Sequence, residues 1–129
     1  MAWLSLLLAA KVGLTAFLVA GPFILLPKPR LEKSLGITTS SPTIFRLYGV
    51  AVTALLVGYA FGIPAAEAGR FPWGVAWMGT VSNGGAAVLL LANSRGSNQG
   101  RMLGAFFGLI AVGLIAAMIA PAEALQKAW

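Results

Sequence analysis

Four apolar stretches, each about as long as a bilayer core is thick, leave this chain few folds to adopt. Crossing hydrocarbon ~30 Å deep at ~1.5 Å per helical residue takes about 20 residues. Residues 3–26, 42–63, 73–92 and 102–120 meet that length with 24, 22, 20 and 19 residues. Together they occupy 85 of the 129 positions, so the connections are too short to form a further domain. The expectation is an all-α integral membrane protein, with residues 1–129 forming one four-transmembrane-helix bundle. Composition agrees: 59% of residues are hydrophobic and 9% charged, against about 25% charged in soluble domains.

The residues that are missing narrow the chemistry. The chain has no Cys, His or Asp, and its only carboxylate side chains are Glu32, Glu67 and Glu123. Zinc, haem and iron–sulfur sites lose their usual ligands, no disulfide can form, and three glutamates leave little for paired-carboxylate acid/base work. No cofactor, no metal and no catalytic residue is expected. The net charge of +6 would suggest nucleic acid in a soluble domain, but here the basic residues sit between apolar runs, where they set topology. Nucleic acid is therefore not an expected partner. Residues 1–10 carry no charged side chain, unlike the positive flank of a secretory signal, so the first stretch is expected to be retained.

Orientation follows from short-loop Lys and Arg. Lys28, Arg30, Lys33, Arg46, Arg95 and Arg101 fall on one side, against Arg70 and Lys127 on the other. Loops 27–41 and 93–101 are thus expected in the cytoplasm and both termini outside it, in a prokaryotic inner membrane. Trp3, Trp73, Trp77 and Trp129 then all lie near the outer interface, where indole is favoured. Gly21-Pro22 predicts a bend in the first span, and Pro27 and Pro29 a stop. Leu31, Leu35 and Ile37 among the charges of loop 27–41 predict a short helix along the headgroups. Ser41-Pro42 predicts a capped start to span two. Residues 64–72 and 93–100 read as turns.

Polar residues within the spans are the candidate intramembrane site: Lys11, Asn83 and Thr53. Lys11 lies eight residues after Trp3, ~12 Å down the helix, where a charge costs about 2.5–3.5 kcal/mol. One reading is an anion or headgroup site; the other is a side chain that snorkels outward or pairs with Glu67 or Glu123. Asn83 shares a helical face with Ala76, Gly79, Thr80, Ala86 and Ala87, which predicts an amide bonding across a close helix contact. Thr53, at similar depth, is the expected partner. Gly58 and Gly62 in span two, and Gly104 and Gly108 in span four, are small residues four apart that suit close helix packing, within the bundle or between chains. Lys28, Arg30, Lys33 and Arg46 are expected lipid-headgroup contacts, or anchors of helix ends.

Four spans in a chain of this size also occur in small multidrug transporters, but those use a carboxylate in the first span, where this chain has Lys11. Leu35-Gly36 before span two, Gly49 early within it, and Phe71-Pro72-Trp73 before span three resemble the DoxX-like group of small four-helix bacterial membrane proteins. Val50 and Ala51 stand in the region where that group would have an acidic residue. The resemblance implies a fold class and no particular activity. Absent catalytic groups and abundant Gly/Ala faces favour a non-enzymatic accessory subunit of a larger membrane complex, possible in energy transduction. Its partners would be membrane lipids and other membrane subunits or itself. The alternative is a small transporter or a lipid- or quinone-binding protein using Lys11.

Overall fold

The computed structural model describes residues 1–93 and 97–128; Arg95 and Trp129 lie outside the described residues. Helices account for the architecture: α1 (Trp3–Thr15), a π-helical turn (Ala16–Ala20), α2 (Gly21–Leu25), α3 (Lys28–Leu35), α4 (Thr43–Glu67), α5 (Trp73–Asn93), α6 (Asn98–Ile119) and α7 (Pro121–Ala124). The α1-to-α2 unit, α4, α5 and α6 are each long and apolar enough to cross a membrane.

The expected bend at Gly21-Pro22 takes the form of the π-helical turn. Pro22 has no N–H, and its ring would crowd the carbonyl of Leu18 in a regular α-helix. Widening the preceding turn relieves this, with the Gly21 amide donating five residues back to the Ala16 carbonyl. Pro27 then ends α2 and deprives the Phe23 carbonyl of its usual donor. Arg46 on α4 supplies the replacement. Its Nη1 donates to the Phe23 carbonyl at 2.8 Å and its Nη2 to the Leu26 carbonyl at 2.7 Å. Arg46 thereby makes a helix-end contact to the chain's own backbone.

Span boundaries shift from expectation for local reasons. Span two runs past Pro64 to Glu67, because a proline near a helix end costs only the bond to Ala60. Gly69, at φ 72°, then closes α4: Arg70 N–H donates to the Ala65 carbonyl and Gly69 N–H to the Ala66 carbonyl. The Ser41 hydroxyl accepts the Thr43 amide at 3.2 Å, so the helix begins one residue after Pro42. Span four begins at Asn98, where Ser97 caps it by accepting the Gly100 amide at 3.0 Å. The stretch 97–100 is therefore a helix start and not merely a turn. Ser97 also donates to the Ser34 carbonyl at 2.6 Å, tying α3 to α6.

The short helix expected in loop 27–41 is α3, and it turns Leu31 and Leu35 into the bundle as buried residues. Gly36, at φ 68°, ends it. Glu32 accepts the Thr39 amide at 2.7 Å and pairs with Lys28 at 3.5 Å. Arg30 and Lys33 are exposed.

The spans pack as two pairs. The α1–α2 unit lies along α4, α5 lies along α6, and contact between the pairs is sparser. Ile24 and Phe23 meet Gly49, which lets the α2 and α4 backbones approach. Gly58 faces Met78, Gly62 faces Leu8 and Val75, Gly104 faces Leu91 and Leu90, and Gly108 faces Ala87. All four glycines thus serve contacts inside the bundle. The two termini meet at one end: Trp3 N–H donates to the Gln126 carbonyl at 3.1 Å, and Ala128 N–H to the Met1 carbonyl at 2.9 Å.

Two predictions follow from these contacts. Arg46→Lys keeps the charge but loses the two-pronged donor, and unfolding in detergent micelles should show a stability loss of about 1.5–3 kcal/mol; unchanged stability would refute the carbonyl-clamp role. The Thr39 amide, followed by the Lys28 charge, holds the Glu32 carboxyl below its ordinary value of 4.5. Its contribution is present above that value and is lost as pH falls through the lowered one. The stability gap between wild type and Glu32→Gln should therefore be widest near neutrality and close in acid, as read by thermal unfolding across pH.

Candidate functional site

A single inward stripe on the first span creates the site. Leu4, Leu8, Lys11, Thr15 and Val19 recur at spacings of three and four and are all buried. Lys11 is therefore on the packed face of α1, 4% exposed, with Thr15 one turn further on and 1% exposed. That placement excludes snorkelling: a side chain rooted on the inward stripe does not lie along the lipid face. Ion pairing with Glu67 or Glu123 is absent as well. Glu67 accepts the Ala2 amide at 2.8 Å, and Glu123 is exposed on α7. Among the described residues the only side-chain ion pair is Lys28–Glu32.

Aromatic rings surround the ammonium. Lys11 Nζ lies 4.5 Å from the ring centre of Phe107, 5.5 Å from Phe106 and 5.8 Å from Tyr59. A desolvated cation–π contact is worth about 2 kcal/mol, against about 2.5–3.5 kcal/mol for a lysine at the centre of a span. The rings therefore offset much of the Coulombic cost. They do not supply lone pairs, and no acceptor among the described residues hydrogen-bonds to the Lys11 ammonium. The Thr15 hydroxyl is likewise buried without a partner.

Asn83 completes the polar side of the site. It is 2% exposed, and its Nδ2 donates to the Tyr59 hydroxyl at 2.7 Å and to the Gly79 carbonyl at 2.7 Å. Ser82 Oγ donates to the same carbonyl at 3.3 Å and lies 3.2 Å from the Tyr59 hydroxyl. With the Ser82 proton used on Gly79, the Tyr59 hydroxyl is the donor to Ser82. The chain of donors thus runs Asn83 to Tyr59 to Ser82 to backbone. Asn83 does bond across a helix contact, but its partner is Tyr59. Thr53 is exposed on the opposite side of α4 and returns its hydroxyl to the Gly49 carbonyl at 2.8 Å. Six residues separate it from Tyr59, a rotation that carries it to another face.

Gly79 makes the Tyr59 position available. A Cβ there would stand 2.9 Å from both Tyr59 Cε1 and its hydroxyl, and 2.5 Å from Leu114 Cδ1. Lys11, Thr15, Tyr59, Ser82, Asn83 and Phe107 share a cavity of about 30 Å³. All four spans contribute to it, at the junction of the two helix pairs. Its size suits one water molecule or one small functional group; Lys11 is among its lining residues, while the unpartnered Thr15 hydroxyl is covered by its neighbours.

Thr15, Tyr59 and Ser82 are members of this site that the sequence reading omitted. Thr15 had a legible signal, four residues from Lys11 on the same helical face. Tyr59 did not: only packing against Gly79 brings it to Asn83.

Comparisons with protein-family models, curated proteins and solved structures returned no match for this chain. The geometry of the cavity is thus the ground on which function is argued.

Lys11→Met tests whether the ammonium is a structural element. Methionine keeps the apolar stem and its contacts with the rings while removing an uncompensated charge. Thermal unfolding of the ligand-free protein should show a gain on the order of 1 kcal/mol. A loss of stability would assign Lys11 to holding the bundle together.

Proposed function

We propose that the protein is a membrane-embedded binding protein for a small molecule bearing an acceptor oxygen, with Lys11 as its recognition group. The observation that carries this reading is the buried ammonium beside an unpartnered buried hydroxyl, in a cavity built from every span. Charged groups inside a membrane are costly and tend to mark binding or transport paths. Here the cost is incurred without a protein counter-charge, which fits a site whose acceptor arrives with a ligand.

Binding is favoured over catalysis by the residues available. The cavity has no His, Cys or carboxylate, so a bound molecule would be held without an evident nucleophile–base pair. An accessory-subunit role would draw on outward small-residue faces; Gly58, Gly62, Gly104 and Gly108 are engaged within the bundle, and Gly13, Gly74, Gly84 and Gly85 are the span glycines that face open space. On the distribution of Lys and Arg, loops 27–41 and 93–101 face the cytoplasm of a prokaryotic cell, both termini face the other side, and the cavity lies within the inner membrane. The DoxX-like likeness at Leu35-Gly36, Gly49 and Phe71-Pro72-Trp73 is compatible with this fold and adds nothing to the choice of ligand.

Native mass spectrometry of the protein extracted gently from its own membrane should show a small-molecule adduct, and Lys11→Met should lose it. Larger subunits released at fixed stoichiometry, with no adduct, would overturn the binding reading and support an accessory role.

A further inference from the structure

The Lys11 cavity is too small for a whole metabolite, and its surroundings indicate what the remainder of the ligand must be. A second, apolar crevice of about 260 Å³ lies between α4, α5 and α6, on the side of the cavity nearer α3. It shares Tyr48, Ala86 and Phe107 with the Lys11 cavity. Beyond these, its walls are chiefly Val19, Phe23, Ile44, Phe45, Leu89 and Leu90. Ile44 and Leu89 are exposed on the outer face of the bundle, so the mouth of the crevice is between α4 and α5, where lipid would be.

We propose that cavity and crevice together form one site for a monocarboxylate with an unbranched apolar chain. This ligand class rests on the binding role of Lys11. A carboxylate supplies the counter-charge that Lys11 lacks and accepts hydrogen bonds from its ammonium. A phosphate monoester or phospholipid headgroup exceeds a cavity of about 30 Å³. A methylene takes about the space of a water molecule, ~30 Å³, so the 260 Å³ crevice accommodates a chain on the order of nine carbons. Chain and head thus have separate compartments that meet at Tyr48, Ala86 and Phe107.

The test uses radiolabelled decanoate and the full-length protein in phosphatidylcholine nanodiscs, with empty nanodiscs giving the lipid background. Wild type should bind decanoate saturably above background, and unlabelled decanoate should compete where decanol does not. Lys11→Met should weaken binding about tenfold or more, the equivalent of one charge-assisted hydrogen bond. Ala86→Leu, which fills the junction while leaving Lys11 in place, should weaken decanoate more than acetate. Binding that is equal in wild type and Lys11→Met, or no binding above background, would overturn the assignment. Failure of the ligand class is distinguishable from failure of the binding role. A native adduct that depends on Lys11 but is not displaced by decanoate would leave the role standing and remove the monocarboxylate; an adduct retained by Lys11→Met would remove both.

Discussion

Backbone polar groups in hydrocarbon have no water to turn to, and this constraint accounts for much of the structure. Among the described residues, several departures from regular helix are matched by a donor or acceptor from within the chain. The proline at 22 is accommodated by a π-helical turn, with Gly21 reaching the Ala16 carbonyl. The carbonyls left by the break at Pro27 are met by Arg46, a cation whose planar fork fits two acceptors at once. Gly69 and Ser97 do the same work at the end of α4 and the start of α6. Ser97 adds a link from α6 to α3 through the Ser34 carbonyl, so the termini of the spans are fastened to one another as well as capped.

Once the spans are fixed in this way, side-chain volume decides how they meet. Glycines at 49, 62, 79 and 104 each lie against a large side chain from a neighbouring helix. Gly49 and Gly104 serve contacts within the helix pairs, while Gly62 and Gly79 also meet side chains of the other pair. The junction between the pairs is filled by Tyr59, Phe106 and Phe107 around Lys11, and the filling is incomplete. A small cavity with mainly apolar walls remains at mid-bundle, with a larger apolar crevice beside it. The hydrogen-bonded series from Asn83 through Tyr59 and Ser82 fixes one wall, with Lys11 and the unpartnered Thr15 hydroxyl on the other.

This division of labour is the physical argument for a binding role. The Asn83 amide nitrogen, whose hydrogens go to Tyr59 and the Gly79 carbonyl, behaves as packing glue. An ammonium with ring faces but no acceptor does not complete its own bonding. The rings lower the cost of keeping the charge in place while remaining indifferent to what finally accepts its hydrogens.

Length, hydropathy and helix punctuation were legible directly, because a bilayer imposes a residue count on each span and proline imposes a local break. The four spans, the bend at Gly21-Pro22 and the short helix of loop 27–41 are of this kind. So was the candidate status of Lys11 and Asn83, since a charge or amide in an apolar run stands out without any knowledge of neighbours. Their partners were a different matter. Periodicity along one helix cannot report its rotation against another, so Thr53 was as good a partner for Asn83 as Tyr59, and Glu67 and Glu123 as good for Lys11 as three aromatic rings. Tertiary packing decided these pairings through contacts such as Gly79 against Tyr59, whose reach depends on the distance between helices. The sequence by itself determined where the chain runs as membrane helix and which polar groups it takes inside; only the packed bundle decided what those groups touch.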